Sequence, residues 1–139
     1  MSFKSHVARA VTATAVAGAA IFALAEPASA GPSAPTLGDG YADNTHAVWC
    51  VQHNINHFLS ITTISDHPVL LAEDGIWGPE TKAAVEWLQS SAYVDGQKLQ
   101  VDGIVGPLTG DMIVGDGDPY YVGSYDAYCW QYIPTTYGP

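Results

Sequence analysis

An internal repeat constrains this chain more than any other feature. Asp-Gly-Ile-Trp-Gly-Pro-Glu-Thr at residues 74–81 returns as Asp-Gly-Ile-Val-Gly-Pro-Leu-Thr at 102–109, with six of eight positions identical. Each copy holds the parts of a loop running into a helix. Asp74-Gly75 and Asp102-Gly103 are turn residues, while Ile76-Trp77 and Ile104-Val105 offer an apolar pair to a core. Gly78-Pro79 and Gly106-Pro107 then open a helix, since the missing proline N–H would be unpaired at the first helical position anyway. Thr81 and Thr109 fall in the first turn. Neither copy has the glycine spacing of a phosphate-binding loop, so the repeat reads as architecture that sets two helices in a related orientation.

Helical periodicity fills the space around the loops. From Asn44 onward, Val48, Val51, Ile55, Phe58/Leu59 and Thr62 form an apolar stripe that Asn44 or Thr45 can cap. A second helix from Pro79 carries Thr81, Ala84, Val85, Leu88 and Ala92 on one face, with Lys82 and Glu86 paired on its surface. A third, short helix runs from Pro107 to about Val114 and stops at Gly115. The expected fold is all-α: a compact three-helix bundle with two related D-G-x-x-G-P-x-T loop-to-helix repeats and an aromatic-rich, irregular C-terminal tail.

The rest of the chain frames this domain. Residues 1–30 have a basic start (Lys4, Arg9), an apolar run over 10–25 and a small-x-small site at Ala28-Ser29-Ala30, which reads as a secretory signal peptide; the run is short for a membrane-spanning helix. Residues 31–43 are rich in Gly, Pro and Asp and are expected to form a flexible leader without packed structure. Residues 44–115 form the domain and 116–139 the tail. Beyond residue 30 the chain keeps two lysines against 13 acidic residues, which disfavours nucleic acid and anionic membrane surfaces as partners. In an oxidising compartment Cys50 and Cys129 most simply pair with each other, although an intermolecular bridge or free thiols would also fit the count. Pairing would draw the tail over the outward face of the first helix.

The repeat also resembles a known family, the small three-helix peptidoglycan-binding domains of bacterial and phage cell-wall hydrolases. The likeness rests on VWCVQHNINHFL at 48–59, DGIWGPETKAAVEWLQ at 74–89 and VDGIVGPLTGDMI at 101–113. It implies non-catalytic binding of peptidoglycan or its fragments, often of the stem peptides, in a shallow groove, by a secreted, wall-associated protein expected to be a monomer. The chain departs from the family in four places: a longer link at 60–73, an insertion at 93–99, Leu88 in place of phenylalanine, and Gly110 in place of a bulky residue.

Few residues suggest chemistry. No nucleophile motif such as G-x-S-x-G occurs, and Asp74 and Asp102 sit where an aspartate holds a turn, so no catalytic residue is assigned. His46, Cys50, His53 and His57 share one face of the first helix, but there is no H-E-x-x-H glutamate and a disulfide would consume Cys50; neither metal nor cofactor is expected. The candidate ligand contacts are Trp87, which lies off the apolar stripe, Tyr93 in the inserted loop, and Asp102 and Gly103 at the second loop. Trp77 is expected in the core. The tail holds seven aromatic residues, Tyr120, Tyr121, Tyr125, Tyr128, Trp130, Tyr132 and Tyr137, which read either as an auxiliary core or as a stacking platform for sugars. A secreted interaction or inhibitor protein, using the acidic surface and the tail on a protein partner, is the alternative reading.

Overall fold

The computed structural model describes residues 34–41 and 44–138; the expected signal peptide at 1–30 lies outside the described residues. Helix α1 (Thr45–Ile61) starts at Asn44, whose side chain accepts from the His46 and Ala47 amides. Gly78 and Gly106 precede α2 (Pro79–Ser91) and α3 (Pro107–Asp116), each opening on its proline as the repeat predicts. Helix α1 packs against both α2 and α3. Val51, Ile55 and Leu59 of α1, Val85 and Leu88 of α2 and Ile113 of α3 form one core, with Trp77 partly buried against it.

Four features differ from the expectation. First, the fold is helix-rich rather than all-α. Tyr93–Val94 (β1) and Gln97–Lys98 (β2) pair antiparallel around Asp95-Gly96, whose φ angles of 51° and 77° match the two-residue hairpin turn that Asp-Gly favours. Second, the tail is not irregular throughout: it contains α4 (Pro119–Val122) and a 3₁₀ turn (Trp130–Tyr132).

Third, the leader is packed where it is described. Leu37 is fully buried in the core and exchanges two backbone hydrogen bonds with Val105, of 3.2 and 2.9 Å, so the apolar pair of the second loop is matched by a leucine from the leader. Asp39 draws Lys82 away from its expected Glu86 partner, with Nζ–Oδ2 at 2.6 Å. Each shifts the other: the ammonium holds the Asp39 carboxyl below its usual range, and the carboxylate raises Lys82. Fourth, α3 continues past Gly115 to Asp116 and is capped by Gly117.

The disulfide Cys50–Cys129 is present, with the Cα atoms 5.5 Å apart across 79 residues of sequence. It does not lie on a surface face, because both cysteines are fully buried. The tail closes the far side of α1 with Val122, Trp130 and Ile133, which makes α1 a central helix buried on nearly every side. Gly110 explains one departure from the family pattern: a Cβ there would stand 1.5 Å from the Pro134 carbonyl oxygen, so the missing side chain is the seat of the tail. Next to it the buried Asp111 carboxylate accepts from the Thr135 hydroxyl and, at 2.6 Å each, from the Thr136 amide and hydroxyl. Those donors satisfy a charge that would otherwise be costly to bury.

Candidate functional site

Both repeat loops hang from a glutamine. Gln52 of α1 donates through Nε2 to Asp74 Oδ1 (3.0 Å), the Ile76 carbonyl (3.1 Å) and Thr81 Oγ1 (3.1 Å), while its Oε1 accepts from the Gly75 amide at 2.8 Å. Gln89 of α2 repeats the pattern one loop later. Its Nε2 reaches Asp102 Oδ1 (2.9 Å), the Ile104 carbonyl (2.9 Å) and Thr109 Oγ1 (3.1 Å), and its Oε1 takes the Asp102 and Gly103 amides, both at 3.0 Å. Each side-chain amide thus supplies partners to the backbone of its loop, and at the second loop the Leu37–Val105 bridge adds two more bonds.

The glycines follow from the same geometry. Gly75 and Gly103 have φ of 71° and 69°. A Cβ would meet Thr45 Cγ2 at 2.6 Å in the first loop and Lys82 Cγ at 2.8 Å in the second. Asp74 also accepts from the Ile76 amide at 3.0 Å; that bond and the one from Gln52 hold its carboxyl below the ordinary value of 3.8.

A cleft opens beside each loop. The one at the first loop has a volume of about 670 Å³ and lies between the 68–72 segment and the start of α2, with Gln52, Asp74, Ile76 and Glu80 among its lining residues. Its rim is unusually apolar for a surface, since Val69, Leu70 and Ile76 are 85, 61 and 66% exposed. Among the described residues no lysine, arginine or histidine lines it, and its charges are the carboxylates of Asp74 and Glu80. The wall is held by Asn56, one turn beyond Gln52 on α1. Asn56 donates to the Leu71 carbonyl (2.9 Å) and accepts from the Leu71 amide (2.7 Å), pinning a segment without secondary structure of its own. The cleft at the second loop is smaller, about 340 Å³, walled by residues 98–100.

The histidine face of α1 is occupied. His53 stacks on Trp49 (centroids 4.8 Å apart) and meets the edge of Tyr121 at 4.4 Å; its ring nitrogens lie 2.9 Å from Glu73 and 3.3 Å from Asp118. Asp118 is itself held low, first by the Tyr120 amide and then by His53. His46 stacks on Tyr132 and hydrogen bonds to the Tyr128 hydroxyl. Among the described residues, no group of three or more His, Cys, Asp or Glu side chains is arranged to hold a metal ion.

The candidate contacts chosen from sequence do not converge. Trp87 is half-buried, facing Phe58 and His67 with ring centroids 6.0 and 6.3 Å away, so it supports the long link rather than standing free. Tyr93 is two-thirds exposed on β1, away from the lining of both clefts. Gly103 is buried under Lys82, and Asp102 is engaged with Gln89, although it lines the smaller cleft. Sequence reasoning missed Gln52, Asn56 and the exposed rim. The pairs Val51-Gln52 and Leu88-Gln89 were the signal for the glutamines, but Gln52 lies 22 residues before its aspartate and Gln89 only 13, so no fixed spacing reveals them.

Set beside known proteins, the chain matches no family, no curated protein and no solved structure. The described residues include no helix long and apolar enough to cross a membrane, and a buried disulfide is compatible with an extracellular location.

Proposed function

We propose that this protein is a secreted, non-catalytic peptidoglycan-binding module on a three-helix scaffold, and that it takes a stem peptide of the wall polymer in the cleft beside the first loop. The observation that carries this reading is the exposed apolar rim, Val69, Leu70 and Ile76, around a cleft whose charges are carboxylates. A short peptide bearing methyl side chains and an amine is complementary to that surface in both respects. The doubled loop, with its resemblance to wall-binding domains, supports the same class. A non-catalytic role accords with the site, where Asp74 is held in its turn with a lowered pKa, the opposite of what a general acid needs.

The test is co-sedimentation with insoluble peptidoglycan stripped of its anionic polymers, at low and high salt. Pelleting that survives high salt and is lost in Leu70→Asp is the expected result, because apolar contacts are not screened. A protein that stays in the supernatant at every salt contradicts the reading. The alternative, a protein partner, then gains ground through the exposed Tyr120, Tyr125, Tyr128 and Tyr137 of the tail.

A further inference from the structure

A third cleft, of about 710 Å³, lies between the end of α3 and the tail, far along the chain from the repeat-loop rim. Its walls include the rings of Tyr125, Trp130 and Tyr137 and the hydroxyl-bearing Ser124 and Thr136, and among the described residues no charged side chain lines it. That neutrality stands out in a chain with 14 acidic residues against four basic ones. Tyr125 meets Trp130 edge to face, with centroids 4.8 Å apart at 88°, which holds two walls of the cleft at right angles. Both Tyr125 and Tyr137 remain substantially exposed, at 55 and 40%.

Trp130, part of the wall, is over nine-tenths buried, and its indole N–H has no acceptor among the described residues. The cleft is open at the exposed Gly115, where an added Cβ would meet nothing within 4 Å. Burial and the nearby carboxylates, Asp111 first, raise Tyr137, which keeps its phenol protonated and able to donate.

We propose that this tail cleft binds an uncharged saccharide, stacking a pyranose ring on Tyr125 or Tyr137 and meeting its hydroxyls with Ser124, Thr136 and the phenol groups. Rings supply an apolar face for the C–H side of a sugar, and hydroxyls and phenols match its equatorial oxygens, whereas an anionic ligand would meet no cation in the lining and would face the carboxylates near Tyr137. The site is separate from the first-loop cleft and does not depend on the wall-binding reading.

The experiment is an NMR titration of the disulfide-bonded protein with neutral trisaccharides (cellotriose, maltotriose and the fully N-acetylated chitotriose), with galacturonate trimer as the charged control. Saturable shifts at Gly115, Ser124, Tyr125, Trp130 and Tyr137 with at least one neutral trimer are expected. They should weaken about tenfold in Tyr125→Ala, the scale of one lost stacking contact. Gly115→Trp, which puts a bulky ring into the open space beside Gly115, should abolish them while leaving the shifts of the first loop in place. No shift at millimolar sugar, shifts mapping elsewhere, equal binding of the galacturonate trimer, or a Tyr125→Ala variant that binds normally would overturn the proposal.

Discussion

The two Asp-Gly loops are built alike and surrounded differently. Each is latched by a buried glutamine through corresponding groups, down to the threonine hydroxyl in the first turn of the following helix, with the Asp102 amide an added donor in the second. Around the first, the 68–72 wall and its Asn56 clasp enclose a cleft roughly twice as large as the one around the second. The second loop instead gives its apolar residue Val105 to Leu37 of the leader and lies under Lys82. The repeated residues therefore make scaffold, and the inserted segments decide where a ligand can sit.

That comparison can be broken or sharpened in four ways. The largest effect belongs to Cys50→Ala/Cys129→Ala, which releases a bridge spanning 79 residues and should lower stability by about 4 kcal/mol in denaturant titrations. Because the cut lies outside both loops, the Gly75 and Gly103 amides should lose exchange protection in parallel; unequal loss would show that the two latches are not equivalent. Next come Gln52→Leu and Gln89→Leu. Each strands several buried donors and acceptors and should cost about 2–3 kcal/mol, with the two values agreeing within about 1 kcal/mol.

The third prediction separates the clefts. Leu70→Asp should weaken peptidoglycan binding about tenfold while changing stability by less than about 0.5 kcal/mol, whereas Leu108→Asp, on the exposed surface of the second cleft, should leave binding unchanged. Equal losses in the two variants would move recognition to a feature the loops share. The smallest effect is a pH dependence at Asp74. Its folded pKa is depressed, so its contribution is present above its ordinary value of 3.8 and is lost as pH falls through the lower folded value. Asp74→Asn should flatten the acid limb of the stability profile slightly, as measured by thermal melts between neutral pH and strong acid.

Much of the scaffold was legible in the sequence because it is local. Proline at the first helical position, Asn44 as a cap and the 3.6-residue stripe of α1 all act within a few residues, and all three helices start where those signals put them. The hairpin at 93–98 was equally local, since Asp95-Gly96 carries the turn chemistry, but its two-residue strands are too short to show alternation. The non-local features were not legible. Leu37 sits in a segment whose composition signals a flexible leader, yet it is fully buried and makes two backbone hydrogen bonds to Val105, far along the chain. Trp87 sits off the helical stripe as expected, but the wheel could not show that the long link returns over it with His67. The cleft rim escaped for the same reason: whether Val69 and Leu70 are exposed depends on Asn56, 15 residues from Leu71.

The most direct test of the central claim is an NMR titration of the protein with a soluble stem peptide carrying a free amine. Shifts confined to residues 68–80 and the Gln52 side-chain amide, saturating at millimolar peptide or below, are expected. Shifts centred instead on residues 98–109, or none at all at that concentration, would contradict it.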